Sequence, residues 1–249
     1  MPKTILCDIG GVLYIGDKPI DGAIETIDYL KNKYKIKFLT NTTQRTSQDI
    51  YEKLKKMGFN IDKDDILTAL DVTKMFLLEN RSNATFLLTN RALEFFKDIP
   101  NEYPKKYVVV GDAKDNFTYQ NLNSAFRELI DGLELIAIAK NRYYKSSDNK
   151  LSMDAGCFVV ALEYASGKEA KIIGKPSKEF FHLACKSLGV KPSEAIMIGD
   201  DIESDILGAQ NAGIKGYLVK TGKFNPNDLK KGIKPDKIID SIADLKDIL

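Results

Sequence analysis

The chain has 249 residues, of which 43% are hydrophobic and 29% are charged, and its formal net charge is +2. This balance is typical of a globular protein with one large or two smaller domains, and we expect neither nucleic acid nor a membrane as a partner. No apolar run approaches the roughly 18 residues of a membrane-spanning helix. The N-terminus enters a strand without a signal peptide, so we expect a cytoplasmic protein.

Strands alternate with helices along the chain, which is typical of a parallel sheet. Apolar runs predict strands at 5–7, 36–39, 84–88, 107–110, 135–139, 195–198, 217–219 and 238–239. Apolar periodicity and capping residues predict helices at 21–33, 46–57, 69–80, 91–97, 119–130, 157–165, 178–188, 202–212 and 242–249.

The middle of the chain repeats this alternation and is long enough to bury a core of its own. We therefore predict an α/β fold, with a doubly wound, Rossmann-like parallel sheet built from residues 1–70 and 173–249. Residues 71–172 are predicted to form an inserted α/β domain.

Cysteine and histidine chemistry has little support in the sequence. Cys7, Cys157 and Cys185 lack the spacing of a zinc site, and none is followed by the arginine that a cysteine phosphatase needs. The single histidine, His182, lies in an apolar run and is expected to pack on a helix. A histidine-based triad and a disulfide framework are therefore not predicted.

Polar residues follow three of the predicted strands. Asp8 ends the first, Thr40 and Asn41 follow the second, and Asp200 and Asp201 follow the strand at 195–198. In a doubly wound sheet these ends meet where ligands bind. There Asp8 can act as a nucleophile, and Asp8 with Asp200 can hold one Mg²⁺. Taken singly, these carboxylates are equally well explained as caps of turns and helices.

Two further residues extend this pattern. Lys175, in Gly-Lys-Pro-Ser before a helix, can neutralise a phosphoryl group, although a solvated lysine explains it as well. Asp205 lies at the opening of the helix after Asp200 and can complete a metal site. Neither a P-loop nor a dinucleotide-binding motif is present.

In combination, the segments beginning at Asp8, Thr40, Lys175 and Gly199 resemble the haloacid dehalogenase (HAD) superfamily of aspartyl-phosphate phosphatases. The large insert resembles the cap of its class IIA, the NagD-like group. The resemblance implies a HAD-like core with an inserted cap, and a Mg²⁺-dependent phosphatase for a small phosphorylated substrate. It also suggests a homodimer through the cap, for which the strand 108–110 is a candidate edge.

The resemblance implies roles for named residues of the core. Asp8 is the nucleophile and a Mg²⁺ ligand, and the backbone carbonyl of Gly10 and the carboxylates of Asp200 and Asp205 complete the metal site. Lys175 neutralises charge on the phosphoryl group.

The resemblance also implies substrate-binding residues. Thr40 and Asn41 bind the phosphoryl oxygens. In the cap, Asn141, Arg142 and Gly156 contact the substrate.

Gly10 departs from the family pattern, which has an aspartate here as general acid and base. Such catalysis is worth about 10²–10⁴ in rate, so we expect a substrate with a good leaving group. Asp201 is a candidate replacement if it faces the site. Two alternatives stay open: a phosphate-binding or scaffold protein that has lost turnover, and a phosphotransferase that passes phosphate from Asp8 to an acceptor other than water.

Overall fold

A computed structural model describes residues 2–145 and 150–249. The strands are β1 Thr4–Asp8, β2 Tyr14–Ile15, β3 Lys18–Pro19, β4 Lys35–Thr40, β5 Ile66–Thr68, β6 Ser82–Leu87, β7 Lys105–Val110, β8 Glu134–Ala137, β9 Tyr143–Lys145, β10 Leu151–Met153, β11 Lys171–Ile172, β12 Ala195–Gly199, β13 Lys215–Val219 and β14 Lys237–Ile239.

The α-helices are α1 Ala23–Lys31, α2 Ser47–Lys56, α3 Ala69–Glu79, α4 Asn90–Phe95, α5 Tyr119–Ile130, α6 Ala155–Ser166, α7 Lys178–Leu188, α8 Gly208–Asn211 and α9 Leu245–Ile248. A π-helix spans Ile202–Leu207, and 3₁₀-helices span Lys63–Asp65, Lys114–Asn116, Pro192–Glu194, Pro226–Lys231 and Ile242–Asp244. Among the helices of these described residues, none is long and apolar enough to cross a membrane.

The chain divides into two compact units. The first consists of Met1–Thr40, Ser47–Leu67 and Lys175–Leu249, and the second of Asn41–Thr46 and Thr68–Gly174. The boundaries 1–70, 71–172 and 173–249 stay a prediction about domains; the units group Asn41–Thr46 with the second unit.

The first unit is built on a parallel sheet with the strand order β14-β13-β12-β1-β4-β5. β1 and β12 are buried along their whole length, as expected for central strands covered on both faces. Their neighbours contribute to a core that includes Ile5, Phe38 and Ile198. The predicted α/β fold with a parallel sheet is confirmed.

The second unit has its own parallel sheet, with the order β11-β8-β7-β6, and an antiparallel β9–β10 hairpin. A separate core forms around Val108, Val110 and Leu135. The suggestion that 108–110 forms a sheet edge is wrong, because β7 pairs with β6 on one side and with β8 on the other. Its run of valines reflects an interior strand buried on both faces.

Two predicted helices have a different form in the structure. The segment after Asp201 begins as the π-helix, with α8 covering only its last turn, and the C-terminal segment begins as a 3₁₀-helix before α9. The sequence also failed to predict β2, β3, β5, β9, β10 and β11. These strands have two or three residues each, which is too short for a visible alternation of apolar and polar residues.

Candidate active site

Two carboxylates follow neighbouring strands of the first unit at the same edge of its sheet. Asp8 is the last residue of β1, and Asp200 directly follows β12. The two strands pair in parallel, and the residues have only 7% and 2% of their surface exposed. Because parallel strands end at the same edge, the sheet itself brings these carboxylates together.

Two glycines make room for the Asp200 carboxylate. A β carbon at Gly11 or at Gly222 would lie within 3.0 Å of Asp200 Oδ2, and both residues have positive φ angles, +86° and +62°. A larger residue would displace the carboxylate and strain the backbone. The backbone N–H of Lys223 donates to the same oxygen at 2.6 Å.

Asp205 is presented by the π-helix. Its carboxylate accepts a hydrogen bond from the backbone N–H of Asp201 at 3.2 Å, and the residue is 1% exposed. A β carbon at Gly199, the last residue of β12, would lie within 3.0 Å of this carboxylate. The glycine therefore lets the side chain approach the strand end, and π-helical turns are frequent at functional sites.

Lys175 links two of these carboxylates. Its Nζ donates to Asp8 Oδ1 and, at 2.6 Å, to Asp205 Oδ1, and the residue is 4% exposed. Burial lowers the pKa of Lys175, but the carboxylates of Asp205 and Asp8 outweigh this effect and raise the pKa above its usual value. The side chain is therefore a buried cation at neutral pH.

The three acidic residues form a compact set of oxygen donors. Asp8, Asp200 and Asp205 each present an oxygen, and these oxygens lie within 4.8 Å of one another. With the single charge of Lys175, the ionised cluster has two uncompensated negative charges. A hard divalent cation such as Mg²⁺ fits both this charge and the oxygen donors.

Burial and neighbouring charges shift the pKa values of Asp200 and Asp205. Burial raises the pKa of Asp200 to about 8, and the charges of Asp8 and Asp205 act in the same direction. Burial also raises the pKa of Asp205 to about 6, although Lys175 opposes the shift. Like charges in a buried site are costly unless a cation compensates them.

Asp201 is a helix cap. Its Oδ1 accepts hydrogen bonds from the backbone N–H groups of Glu203 and Ser204, both at 3.0 Å, and Oδ2 lies 3.6 Å from Lys223 Nζ. Although burial raises the pKa of Asp201, these hydrogen bonds and Lys223 hold it below its usual value. For this residue the capping interpretation is correct, and the carboxylate is poorly suited to act as a general base.

The loop after β13 contributes to the site, although no residue of this loop was predicted to do so. Besides the Lys223 N–H and the close approach of Gly222, the hydroxyl of Thr221 donates to the carbonyl of Gly11 at 2.5 Å. A signal was present, since this loop follows a strand of the same parallel sheet and therefore lies at the same edge. The contacts with Asp200 are made by backbone atoms of this loop, so the residue types alone do not predict them.

The remaining predicted core residues lie near strand ends. Thr40 ends β4, which pairs in parallel with β1 in the register Asp8↔Leu39. Gly10 is exposed, and a β carbon there would meet nothing within 4 Å. Asn41 belongs to the second unit.

The predicted cap residues lie close together within the second unit. The backbone N–H of Gly156 donates to the carbonyl of Asn141 at 3.0 Å, and the N–H of Asp154 donates to the carbonyl of Arg142 at 3.2 Å. Asn141 and Arg142 are exposed, while Gly156 is buried.

Two residues set aside in the sequence analysis have ordinary surroundings. Cys7 is fully buried in β1, and burial holds the pKa of its thiol well above the usual value, so it is no nucleophile. His182 lies on α7, where its Nε2 is 3.3 Å from the carbonyl oxygen of Ala212.

Comparisons with known proteins identify the family. A family model described as haloacid dehalogenase-like hydrolase matches residues 5–101, and one described as HAD-hydrolase-like matches residues 172–245. Haloacid dehalogenase-like hydrolase domain-containing protein 2 of Bos taurus is 44% identical over 230 residues, covering 92% of this chain and 88% of that protein. Phospholysine phosphohistidine inorganic pyrophosphate phosphatase of Homo sapiens is 37% identical over 256 residues, covering 99% and 94%.

Solved structures agree with this assignment. The 4-nitrophenylphosphatase of Thermotoga maritima has a TM-score of 0.90 and 29% identity, covering 99% of this chain and 97% of that one. NagD of E. coli K-12 shares the fold, with a TM-score of 0.85, 23% identity and 97% of each chain covered. With relatives this similar over most of both lengths, the chain belongs to the haloacid dehalogenase-like hydrolases, in their class IIA, NagD-like group.

Proposed function

We propose that the chain is a Mg²⁺-dependent phosphatase that passes the phosphoryl group of a small substrate to Asp8 and then to water. The observation that carries the proposal is the buried cluster of Asp8, Asp200 and Asp205 around Lys175. A phosphate-binding scaffold has little need of a nucleophile, a cation site and a buried lysine at one strand edge.

The residues of the site would neutralise charge and position the reacting groups. Asp8, Asp200 and Asp205 would hold the Mg²⁺ together with the carbonyl of Gly10, and the bound ion would neutralise charge on the transferring phosphoryl group. Lys175 adds a fixed positive charge beside Asp8. Phosphoryl transfer depends mainly on such positioning and neutralisation.

The reaction has two balanced steps. A carboxylate oxygen of Asp8 attacks phosphorus, and the bond to the leaving oxygen or nitrogen breaks with its electron pair on the leaving group. Water then attacks the phosphorus of the aspartyl phosphate, and the bond between phosphorus and the Asp8 oxygen breaks with its electron pair on the restored carboxylate. Inorganic phosphate keeps the oxygen of the water, and the released proton passes to the leaving group or to solvent. Thr40 and Asn41 are proposed to bind the phosphoryl oxygens, and Asn141, Arg142 and Gly156 to contact the rest of the substrate.

Gly10 restricts the substrates that such a site can use. It offers no side chain to protonate a leaving group, and Asp201 is engaged as a helix cap. Substrates that need no proton from an enzyme acid should therefore react best. These are aryl phosphates, acyl phosphates and pyrophosphate, and phosphoramidates whose nitrogen is already protonated in the substrate. Two of the relatives are named as a phospholysine phosphohistidine inorganic pyrophosphate phosphatase and a 4-nitrophenylphosphatase, and these names indicate the same class of compound.

The test is turnover of p-nitrophenyl phosphate with Mg²⁺, with EDTA, and by Asp8→Asn. We expect activity that needs the metal and is lost in Asp8→Asn. Phosphate binding without turnover would instead support the scaffold alternative. Turnover that rises with added alcohol or amine acceptors, with phosphate found on the acceptor, would favour the phosphotransferase.

We also propose a homodimer through the second unit. Three apolar side chains of its β9–β10 hairpin, Tyr143, Leu151 and Met153, are more than half exposed, and exposed apolar patches mark interaction surfaces. Light scattering on the wild type and on Leu151→Lys decides this, since the substitution should give a monomer.

A further inference from the structure

The segment Asn41–Thr46, which follows Thr40, is held by residues of the second unit, to which it belongs. The backbone N–H of Asp112 donates to the hydroxyl of Thr43 at 2.9 Å. Both residues are buried, with 7% and 6% of their surface exposed. This bond joins positions that are 69 residues apart in the chain.

The Asp112 carboxylate extends the attachment. Its Oδ2 accepts a hydrogen bond from Gln44 Nε2, and its Oδ1 accepts one from the backbone N–H of Lys114 at 3.0 Å. We call Thr43, Gln44 and Asp112 the Asp112 latch. A hydrogen bond to a charged group is stronger than one between neutral groups.

Close packing reinforces the latch. A β carbon at Gly111 would lie 2.7 Å from Leu88 Cδ2 and 3.2 Å from Thr43 Cβ, so the segment lies directly against the end of β7. A β carbon at Gly174 would lie 2.8 Å from Asn41 Oδ1. The side chain of Asn41 thus packs against the residue that precedes Lys175.

Both packed positions lie next to residues that we propose to bind the phosphoryl group: Asn41 follows Thr40, and Gly174 precedes Lys175. The chain passes from the first unit to the second between Thr40 and Asn41, and it returns between Gly174 and Lys175. Whatever fixes Asn41–Thr46 within the second unit therefore acts on Thr40 through one peptide bond.

We infer that Asp112 is a positioning residue for phosphoryl binding, acting through Thr43 and Gln44 on Thr40 and Asn41; the inference rests on the proposed phosphatase function. Misplacement of a binding group by about 1 Å costs on the order of 10²-fold in rate. The metal-binding carboxylates all belong to the first unit, so the latch should affect phosphate and not the cation.

The experiment measures three quantities on the full chain: kcat/KM for p-nitrophenyl phosphate, the Ki of inorganic phosphate, and the Kd of Mg²⁺ by calorimetry. For Asp112→Ala we expect kcat/KM to fall by about 10–100-fold and phosphate inhibition to weaken, while the Kd of Mg²⁺ stays at the wild-type value. Asp112→Asn, whose amide can pair with a flipped Gln44 amide, should recover most of both losses.

Thr43→Val serves as a second variant because it keeps the shape and removes only the hydroxyl acceptor. It should weaken phosphate inhibition in the same direction as Asp112→Ala. The control is Glu128→Ala, which removes another carboxylate of the second unit, one that lies 3.6 Å from Lys106 Nζ. It should leave all three quantities unchanged.

Two results would overturn the inference. One is wild-type phosphate inhibition in both Asp112→Ala and Thr43→Val. The other is an equal loss of phosphate and Mg²⁺ binding, which would indicate general damage. An inactive wild type would instead refute the proposed phosphatase function, so the two failures are distinguishable.

Discussion

Gly10 is a position where one side chain should change the chemistry. It is exposed, its backbone is not in the left-handed region, and the space that a β carbon would occupy is open. An aspartate there should be tolerated and should supply the proton that an alkoxide leaving group needs. Packing and backbone conformation therefore do not require a glycine at this position, and its effect is on the chemistry of the leaving group.

We predict that Gly10→Asp raises kcat/KM for an alkyl phosphate by up to about 10²–10⁴, and much less for an aryl phosphate. Steady-state kinetics with glycerol phosphate and p-nitrophenyl phosphate measure the ratio. Gly10→Asn is the matched control, since it has the same shape without an acid. If Gly10→Asp fails to favour the alkyl substrate, the explanation given for Gly10 is wrong.

Asp200 illustrates the electrostatic cost of the site. Without a cation, Asp8, Asp200 and Asp205 crowd negative charge into a buried cluster. We predict that Asp200→Asn raises the Tm measured in EDTA by a few degrees, since about 1 kcal/mol corresponds to about 2–4 °C for a chain of this size.

The same substitution should abolish the rise in Tm that Mg²⁺ gives the wild type, because a cation that binds only the folded state stabilises it. Differential scanning fluorimetry with and without Mg²⁺ tests both effects. A lower Tm for Asp200→Asn in EDTA would contradict the view that the acidic cluster is under repulsion.

The loop after β13 is a local element that supports the site. It surrounds Asp200 with Gly222 and the Lys223 N–H, and Thr221 ties it to Gly11. The π-helix has a similar role for Asp205. Such supporting contacts orient metal ligands, and their loss costs about 10–100-fold in metal affinity.

We predict that Gly222→Ala lowers Mg²⁺ affinity by about 10–100-fold, as measured by calorimetry. Gly16→Ala is a closely matched control: both glycines have φ angles of +62°, but a β carbon at Gly16 meets nothing within 4 Å. Both variants should share a backbone strain of about 1–2 kcal/mol. Equal Mg²⁺ affinities in the two variants would show that the loop does not position Asp200.

The strands of the site could be predicted from the sequence, but the π-helix and the role of Asp201 could not. The strand ends at Asp8 and Asp200 were predictable because long apolar runs define β1 and β12. The π-helix was not, because Asp205 has the spacing of an ordinary helix start. The role of Asp201 also stayed open, since an aspartate after a strand can cap a helix or face a site, and only its hydrogen bonds decide.

Across the chain, the alternation of strands and helices predicted an α/β fold with a parallel sheet, and each unit of the structure contains one. Sheet order was harder to predict, because a valine-rich strand such as β7 can lie at an edge or in the interior until its neighbours β6 and β8 are known. The Asp112 latch was invisible for the same reason: its residues are far apart in the chain, and their types are common in loops.

The measurement that tests the central claim most directly is the capture of a phosphoryl group on Asp8. Wild-type protein is mixed with p-nitrophenyl phosphate and Mg²⁺, quenched in acid within one turnover, and its peptides are analysed by mass spectrometry. We predict a phosphorylated peptide containing Asp8, absent when EDTA is present and absent in Asp8→Asn. Mg²⁺-dependent turnover that persists in Asp8→Asn, with no phosphorylated peptide in the wild type, would contradict the account.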